Sequence, residues 1–122
     1  MSPRKLILVL DDDRSVLRAV ERLLTTRGFA VETFSTVDSF MGCTKMHDAV
    51  CLVLDINLNG ESGIELWARL RREGSSTPVI FITAQDEDVT RRAALSGGCV
   101  AYLSKPFPSQ DLVDAIDGLQ NA

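Results

Sequence analysis

Five short apolar runs alternate with five segments of helical periodicity along this chain, and that alternation constrains the fold more than any other feature. The runs cover residues 5–10, 30–34, 50–54, 78–82 and 100–103. Short apolar runs bounded by turn signals are typical of buried strands. Strands that alternate with helices form a parallel sheet whose two faces the helices cover. The sequence therefore predicts an α/β fold with a doubly wound, five-stranded parallel sheet.

The helical segments carry their own start and stop signals. The first ends before Gly28, a common helix stop, and the second is short, at residues 37–43. The third begins at Ser62, with Glu65 three residues later in the pattern of a capping box, and Pro108 suits the first turn of the fifth. Apolar residues at helical spacing are expected to face the sheet: Val16, Val20, Leu23, Leu24, Ile64, Trp67, Leu70, Val89, Ala93, Ala94, Leu112, Ala115, Ile116 and Leu119.

Length and composition indicate one soluble domain, which we expect to cover residues 1–122. The net charge of -4 and the absence of a basic stripe argue against direct nucleic-acid binding, and no apolar segment is long enough for a membrane span. The three cysteines, Cys43, Cys51 and Cys99, have no metal-binding spacing. We interpret them as apolar fillers in a reducing compartment, which favours a cytoplasmic location.

Polar side chains follow four of the predicted strands. Asp11 and Asp12 follow the first, Asp55 the third, Thr83 the fourth and Lys105 the fifth. In a parallel sheet these strand ends meet at one edge, where ligands usually bind. Two carboxylates about 4 Å apart repel by roughly 4 kcal/mol at an effective dielectric near 20. A hard divalent cation with oxygen ligands, helped by the lysine, would offset that repulsion.

Four blocks of this sequence resemble the signature of the CheY-like receiver domains of two-component response regulators. They are Val9-Leu10-Asp11-Asp12-Asp13, Leu54-Asp55-Ile56-Asn57-Leu58, Ile82-Thr83-Ala84 and Lys105-Pro106-Phe107. The blocks have the family's order and spacing over essentially the whole chain. The resemblance implies a flavodoxin-like (βα)5 fold with strand order 2-1-3-4-5. It also implies that residues 1–122 are a single receiver (response regulatory) domain.

The resemblance further implies a role for each residue of the acidic cluster. Asp55 would accept a phosphoryl group from a phosphohistidine of a histidine kinase or a histidine phosphotransfer protein. Lys105 would pair with a phosphoryl oxygen. Mg²⁺ would be held by Asp11, Asp12, Asp55 and the backbone carbonyl of Asn57. The domain would catalyse its own phosphorylation and dephosphorylation without turning over an external substrate.

Two further residue pairs receive roles from the same resemblance. Thr83 and Tyr102 would act as the switch: Thr83 moves to bond the phosphoryl group, and Tyr102 turns inward into the space that it leaves. This would remodel the face made by the fourth helix, the fifth strand and the fifth helix for a downstream protein or a homodimer. Asn57 and Gln85 would tune how water reaches the acyl phosphate during dephosphorylation.

Three alternatives remain open at this stage. A phosphate-independent pseudo-receiver usually lacks an acid, the acceptor or the lysine, and none is lost here. An aspartyl phosphohydrolase generally has a second acid two residues after the nucleophile, where this chain has Asn57. The chain could also be the N-terminal receiver of a longer DNA-binding transcriptional regulator.

Leu58-Asn59 replaces the family's usual Met-Pro, which should leave this loop freer.

Overall fold

The computed structural model describes residues 4–120 and contains a five-stranded parallel sheet with the strand order β2-β1-β3-β4-β5. The strands are β1 (Leu6–Leu10), β2 (Ala30–Phe34), β3 (Ala49–Asp55), β4 (Val79–Thr83) and β5 (Ala101–Ser104). All neighbouring strands pair in parallel. The predicted α/β, flavodoxin-like fold with strand order 2-1-3-4-5 is therefore confirmed.

Five α-helices connect and follow these strands. They are α1 (Arg14–Thr26), α2 (Val37–Met41), α3 (Gly63–Arg72), α4 (Asp88–Ser96) and α5 (Ser109–Gln120). At the start of α3, the Ser62 hydroxyl accepts hydrogen bonds from two backbone amides, as the predicted cap requires. Within residues 4–120 no helix combines the length and the apolarity needed to cross a membrane.

The helices divide the core into two layers, one on each face of the sheet. Leu17, Val20 and Leu24 of α1 pack with two residues of α5 against one face. Residues of α2, α3 and α4 pack against the other, where the Trp67 ring meets Phe81 edge to face at 5.3 Å. Because helices cover both faces of the sheet, the strands do not alternate between apolar and polar residues. Each strand therefore stands out in the sequence as a continuous apolar run.

Helix α4 packs on a different stripe from the one predicted. Val89 is 78% exposed and Ala93 is exposed as well, so their assignment to the inner face is wrong, whereas Ala94 is fully buried. The stripe that faces the core runs through Thr90, Ala94 and Gly97, one residue further along than expected. A Cβ atom on Gly97 would lie 2.8 Å from the Trp67 ring. Small side chains on α4 therefore make room for Trp67, and the apolar periodicity of the sequence could not show this.

Several element boundaries also differ by one residue from the prediction. Strands β4 and β5 each begin and end one residue later, so that Thr83 and Ser104 are the last residues of their strands. Pro78 has no N–H to donate and contributes only its carbonyl, which accepts from the Leu52 amide at 2.9 Å. Pro108 precedes α5, which begins at Ser109.

Candidate functional site

The carboxylate of Asp11 lies fully buried just beyond the end of β1. One of its oxygens, Oδ1, accepts a hydrogen bond from the Asp13 amide at 2.8 Å. The other, Oδ2, accepts from Lys105 Nζ at 2.7 Å. Both oxygens are thus engaged, and the ion pair with Lys105 joins the end of β1 to the segment after β5. A buried carboxylate with this many partners is held in one orientation.

Asp55 is the last residue of β3 and is only 4% exposed. Its Oδ1 accepts a hydrogen bond from the Asn57 amide at 3.2 Å, and its Oδ2 lies 3.5 Å from Lys105 Nζ. Each of Asp11, Asp12 and Asp55 offers one carboxylate oxygen, and these three oxygens lie within 4.8 Å of one another. The structure therefore brings the three predicted acids together at one edge of the sheet. Their oxygen donors suit a hard divalent cation such as Mg²⁺.

Lys105 is placed by its own backbone. Its amide donates to the Thr83 carbonyl at 2.7 Å, which extends the pairing of β4 and β5 by one residue. The peptide bond between Lys105 and Pro106 is cis. The side chain then reaches across the sheet edge so that its ammonium group faces both Asp11 and Asp55.

The charges in this cluster shift one another's pKa values. Burial, followed by the negative charge of Asp11, raises the pKa of Asp55 from 3.8 to about 6, although Lys105 opposes the shift. Burial alone would lower the pKa of Lys105, but its hydrogen bond to Asp11 and the charges of both acids outweigh this and raise it. Lys105 therefore stays charged at neutral pH, whereas burial and the charge of Asp11 destabilise the ionised form of Asp55.

In the absence of metal, this raised pKa predicts that the protein loses stability as the pH rises. A carboxyl with a raised pKa in the folded state stabilises that state fully below its unfolded pKa of 3.8 and loses this contribution as the pH passes about 6. The two pKa values correspond to at most about 3 kcal/mol. Chemical denaturation in EDTA across this pH range should show a steeper decline for the wild type than for Asp55→Asn. Parallel curves for the two proteins would contradict the assignment of this titration to Asp55.

Thr83, at the end of β4, is fully buried with its hydroxyl bonded to the following loop. The hydroxyl donates to the Gln85 carbonyl at 3.0 Å and accepts from the Gln85 amide at 3.1 Å. Asn57 Nδ2 approaches the same hydroxyl at 3.5 Å, a long contact. The Thr83 hydroxyl is thus held by backbone groups of the β4–α4 loop and lies beside the loop that follows Asp55. The Gln85 side chain itself is exposed.

Tyr102 lies on β5 in register with Phe81 of β4. Its hydroxyl oxygen is buried and has no hydrogen-bond partner within the described part of the chain. The Arg91 guanidinium lies 5.4 Å from the centre of the ring and is also paired with Asp86. Burial, followed by the charge of Asp86, raises the pKa of Tyr102. Arg91 and Asp86 therefore cover a tyrosine whose hydroxyl is already out of solvent.

The loop after Asp55 forms a short hairpin. Asn57–Leu58 pairs antiparallel with Glu61–Ser62 in a two-residue hairpin. The turn residues Asn59 and Gly60 both have positive φ, at 43° and 87°. Two successive residues of this kind form the hairpin turn that Asn-Gly favours. The Asn-Gly turn and the two paired residues on each side thus give this loop a defined hairpin conformation without the proline.

Gly63 positions Asp55 through a close backbone contact that sequence reasoning missed. A Cβ atom on Gly63 would lie 2.2 Å from the Asp55 carbonyl oxygen, and the Gly63 amide donates to the Ile56 carbonyl at 2.8 Å. The N-terminus of α3 is thus pressed against the end of β3. The position of a glycine directly after the Ser62 cap was a visible signal, but it could not show which backbone lies opposite.

Gly63→Ala is expected to destabilise the protein by about 1–3 kcal/mol, because the methyl group must displace the backbone of Asp55. Gly118→Ala is the matched control: Gly118 lies in α5 with no atom within 4 Å of an added Cβ. There the exchange should stabilise by about 0.5–1 kcal/mol, since alanine favours helix. Urea denaturation measures both changes. Equal effects at the two positions would show that the contact with Asp55 does not constrain Gly63.

Comparisons with known proteins agree on one protein family. A profile of the family described as "Response regulator receiver domain" matches residues 7–117. Nodulation protein W of Bradyrhizobium diazoefficiens is 35% identical to this chain over 115 residues, which cover 94% of the chain and 51% of that protein. The chain spans about half the length of the curated relatives it matches.

Solved structures give the same picture. Full-length FixJ from B. japonicum superposes with a TM-score of 0.87 at 28% identity, covering 98% of this chain and 59% of that one. A response regulator protein from Burkholderia pseudomallei superposes with a TM-score of 0.80 at 25% identity, covering 91% of this chain and 65% of that one. The latter was crystallised with a phosphorylated aspartic acid, a calcium ion and citrate.

Proposed function

Because this chain belongs to the response regulator receiver domain family of two-component systems, we propose that it signals through phosphorylation of Asp55. The phosphoryl donor is a phosphohistidine on a partner histidine kinase or a histidine phosphotransfer protein. One observation carries this proposal: the Asp55 carboxylate lies 3.5 Å from the Lys105 ammonium group, and carboxylate oxygens of Asp11, Asp12 and Asp55 lie within 4.8 Å of one another. A nucleophile and the charges that a phosphoryl group needs therefore occupy one sheet edge.

In the proposed reaction an Asp55 carboxylate oxygen forms a bond to phosphorus while the bond from phosphorus to the histidine nitrogen breaks. The imidazole leaves with the electron pair of that bond and takes up a proton. Lys105 places its positive charge against the phosphoryl oxygens, where charge stabilisation contributes most to such transfers. Backbone contacts from Asn57 and Gly63 hold Asp55 in place. A family relative crystallised with a phosphorylated aspartic acid supports this chemistry.

Mg²⁺ is the cofactor that we propose for this reaction. Asp11, Asp12 and Asp55 would hold it together with the backbone carbonyl of Asn57, and the cation would neutralise negative charge on the phosphoryl oxygens. The donor set agrees with this assignment, since all three side chains offer oxygen. Lys105 supplies one positive charge against three carboxyl groups, and burial, followed by the charge of Asp11, raises the pKa of Asp55.

The output step that we propose begins at Thr83. A phosphoryl oxygen is a strong acceptor, so the Thr83 hydroxyl would exchange its bond to the Gln85 carbonyl for one to the phosphoryl group. The face made by α4, β5 and α5 then changes, and a downstream protein or a second copy of the domain binds it. Because the Tyr102 hydroxyl is already buried, this switch would alter its partners more than its exposure.

Two neutral amides flank the acceptor at the positions proposed to tune dephosphorylation. Both residues are exposed, and the Asn57 side chain approaches the Thr83 hydroxyl at 3.5 Å. We propose that both act on attacking water from the rim of the site, Asn57 from the side of Thr83. The lifetimes of the Asn57→Ala and Gln85→Ala phosphoproteins then differ from that of the wild type.

The proposed function predicts that the protein takes up one phosphoryl group from acetyl phosphate in the presence of Mg²⁺, and that EDTA prevents this. Intact-protein mass spectrometry measures the gain. A pseudo-receiver would show no gain at any Mg²⁺ concentration. A phosphohydrolase would instead release phosphate from a generic ester at a steady rate without accumulating a modified protein.

The length of the relatives bears on the output. Nodulation protein W and full-length FixJ are each considerably longer than the part this chain matches. We propose that the domain controls an output function of the kind that such longer proteins carry, for example transcriptional regulation. Comparing the full reading frame with this chain tests that proposal directly.

A further inference from the structure

An ion pair at the start of α4 has no part in the reaction described above. Arg91 donates hydrogen bonds to both carboxylate oxygens of Asp86, one of them from Nε at 3.2 Å and the other from Nη2. Both side chains are partly exposed, and exposed ion pairs add little to stability. Two parallel hydrogen bonds do, however, fix the orientation of a guanidinium group. The neighbours of Arg91 show what this orientation is for.

The oriented guanidinium group lies against the ring of Tyr102. Its central carbon is 5.4 Å from the centre of the ring, within the range of a cation–π contact. The Tyr102 hydroxyl is out of solvent, although it has no hydrogen-bond partner among residues 4–120. A buried tyrosine hydroxyl usually has a partner. The inward position of Tyr102 therefore depends on contacts made by its ring, and Arg91 makes one of them.

Asp86 connects this contact to the loop that holds Thr83. The Gln85 amide and carbonyl bond the Thr83 hydroxyl, and Asp86 is the next residue in the chain. Arg91 lies on α4, whereas Tyr102 lies on β5. Arg91 thus touches the β4–α4 loop through Asp86 and touches β5 through the tyrosine ring. These elements lie between the acceptor site and the proposed output face.

We propose that Arg91 is a positioning residue: oriented by Asp86, it holds Tyr102 inward and makes the tyrosine follow the position of the β4–α4 loop. This inference rests on the proposed function, because it names how a change at Thr83 reaches Tyr102. The contact is present in the resting domain, so it can be measured without any phosphoryl group. The chain has a single tyrosine, which makes Tyr102 directly observable.

A fluorinated tyrosine incorporated at this one position reports the exposure and the pKa of the phenol by fluorine NMR. Burial is the largest cause that raises the pKa of Tyr102; the charge of Asp86 raises it further and that of Arg91 lowers it. If the two side chains acted only as charges, Arg91→Met would raise the pKa and Asp86→Asn would lower it. Loss of positioning exposes the phenol instead. Both variants should then lower the pKa and increase the difference in fluorine shift between light and heavy water.

Three further variants separate positioning from charge. Arg91→Lys keeps the charge but not the planar, bidentate group, so it should behave as Arg91→Met does. The double variant Asp86→Asn/Arg91→Met should match either single variant, because the two residues act as one unit. Arg92→Met is the control, since Arg92 is an exposed neighbour on the same helix, and it should leave both readouts unchanged.

Beryllofluoride, a phosphoryl analogue, tests the link to the acceptor in the presence of Mg²⁺. It should shift the fluorotyrosine signal of the wild type, and shift it less in Arg91→Met and Asp86→Asn. Opposite pKa changes in these two variants, an unchanged solvent effect, or an undiminished response to beryllofluoride would each overturn the proposal. Free and bound beryllofluoride are resolved in the same spectra. A wild-type protein that binds none would refute the proposed function, while the measurements on the resting domain would still decide the role of Arg91.

Discussion

Asp55→Asn is expected to abolish phosphoryl uptake from acetyl phosphate while the protein remains folded. The amide has nearly the same shape as the carboxylate but lacks the anionic oxygen that attacks phosphorus. Asp55 is buried beside Asp11, so removing its charge also relieves repulsion, and the variant should be more stable than the wild type without metal at neutral pH. Intact-protein mass spectrometry after incubation with Mg²⁺ and acetyl phosphate gives the result.

Asp13→Asn is the matched control, because it makes the same exchange in the same acidic stretch. The Asp13 carboxylate caps α1 by accepting from the Ser15 amide at 2.9 Å. The Ser15 hydroxyl and amide lower the pKa of Asp13, which shows that the carboxylate serves the helix end. Asparagine caps a helix about as well, so uptake should persist. Undiminished uptake by Asp55→Asn, or its loss in Asp13→Asn, would contradict the choice of Asp55 as the acceptor.

Lys105→Met is expected to destabilise the metal-free protein at pH 8 by about 3–5 kcal/mol, the usual cost of removing one partner from a buried ion pair. The variant leaves the buried Asp11 carboxylate without the ammonium group now 2.7 Å away, and leaves Asp55 without the one 3.5 Å away. Methionine fills a similar volume, so the loss is mainly one of charge. Urea denaturation in EDTA measures it.

Two dependences distinguish this effect from general damage. The loss should shrink toward pH 5, where Asp55 takes up a proton, and it should shrink again when Mg²⁺ supplies positive charge. Lys45→Met is the control, since the ion pair of Lys45 with Glu32 is exposed. Exposed pairs contribute about 0–1 kcal/mol. A similar loss in both variants, independent of pH and Mg²⁺, would refute the charge-balancing role of Lys105.

The sheet and the convergence of its strand ends could be predicted because parallel topology leaves little freedom. Leu52, Val53 and Leu54 are all fully buried, so the third strand can be recognised in the sequence as one apolar run. Once five such strands run in the same direction, residues that follow them must share an edge. The sequence therefore predicts that Asp11 and Asp55 lie near each other.

Features that depend on how two elements approach each other could not be predicted. Small residues form the side of α4 that faces the core. That side is turned inward, and Val89 outward, because the large Trp67 ring lies opposite. The contact of Gly63 with the Asp55 carbonyl is of the same kind. The hydroxyls of Tyr102 and Ser104 have no partner among residues 4–120, and this depends on rotamers and packing that no sequence pattern shows.

Because Gly63 packs tightly against Asp55, the two sides of Asp55 differ in how much room they leave for movement. On the α3 side the backbone of Asp55 has no space to retreat, because even a methyl group would collide there. On the opposite side Thr83 is held only by hydrogen bonds to a loop, which can be exchanged one for another. A group added to Asp55 therefore meets a tightly packed backbone at Gly63 on one side, and on the other side the Thr83 side chain, whose hydrogen bonds can be exchanged. In the proposed switch, the displacement would therefore go toward Thr83 and β4, since Gly63 blocks displacement toward α3.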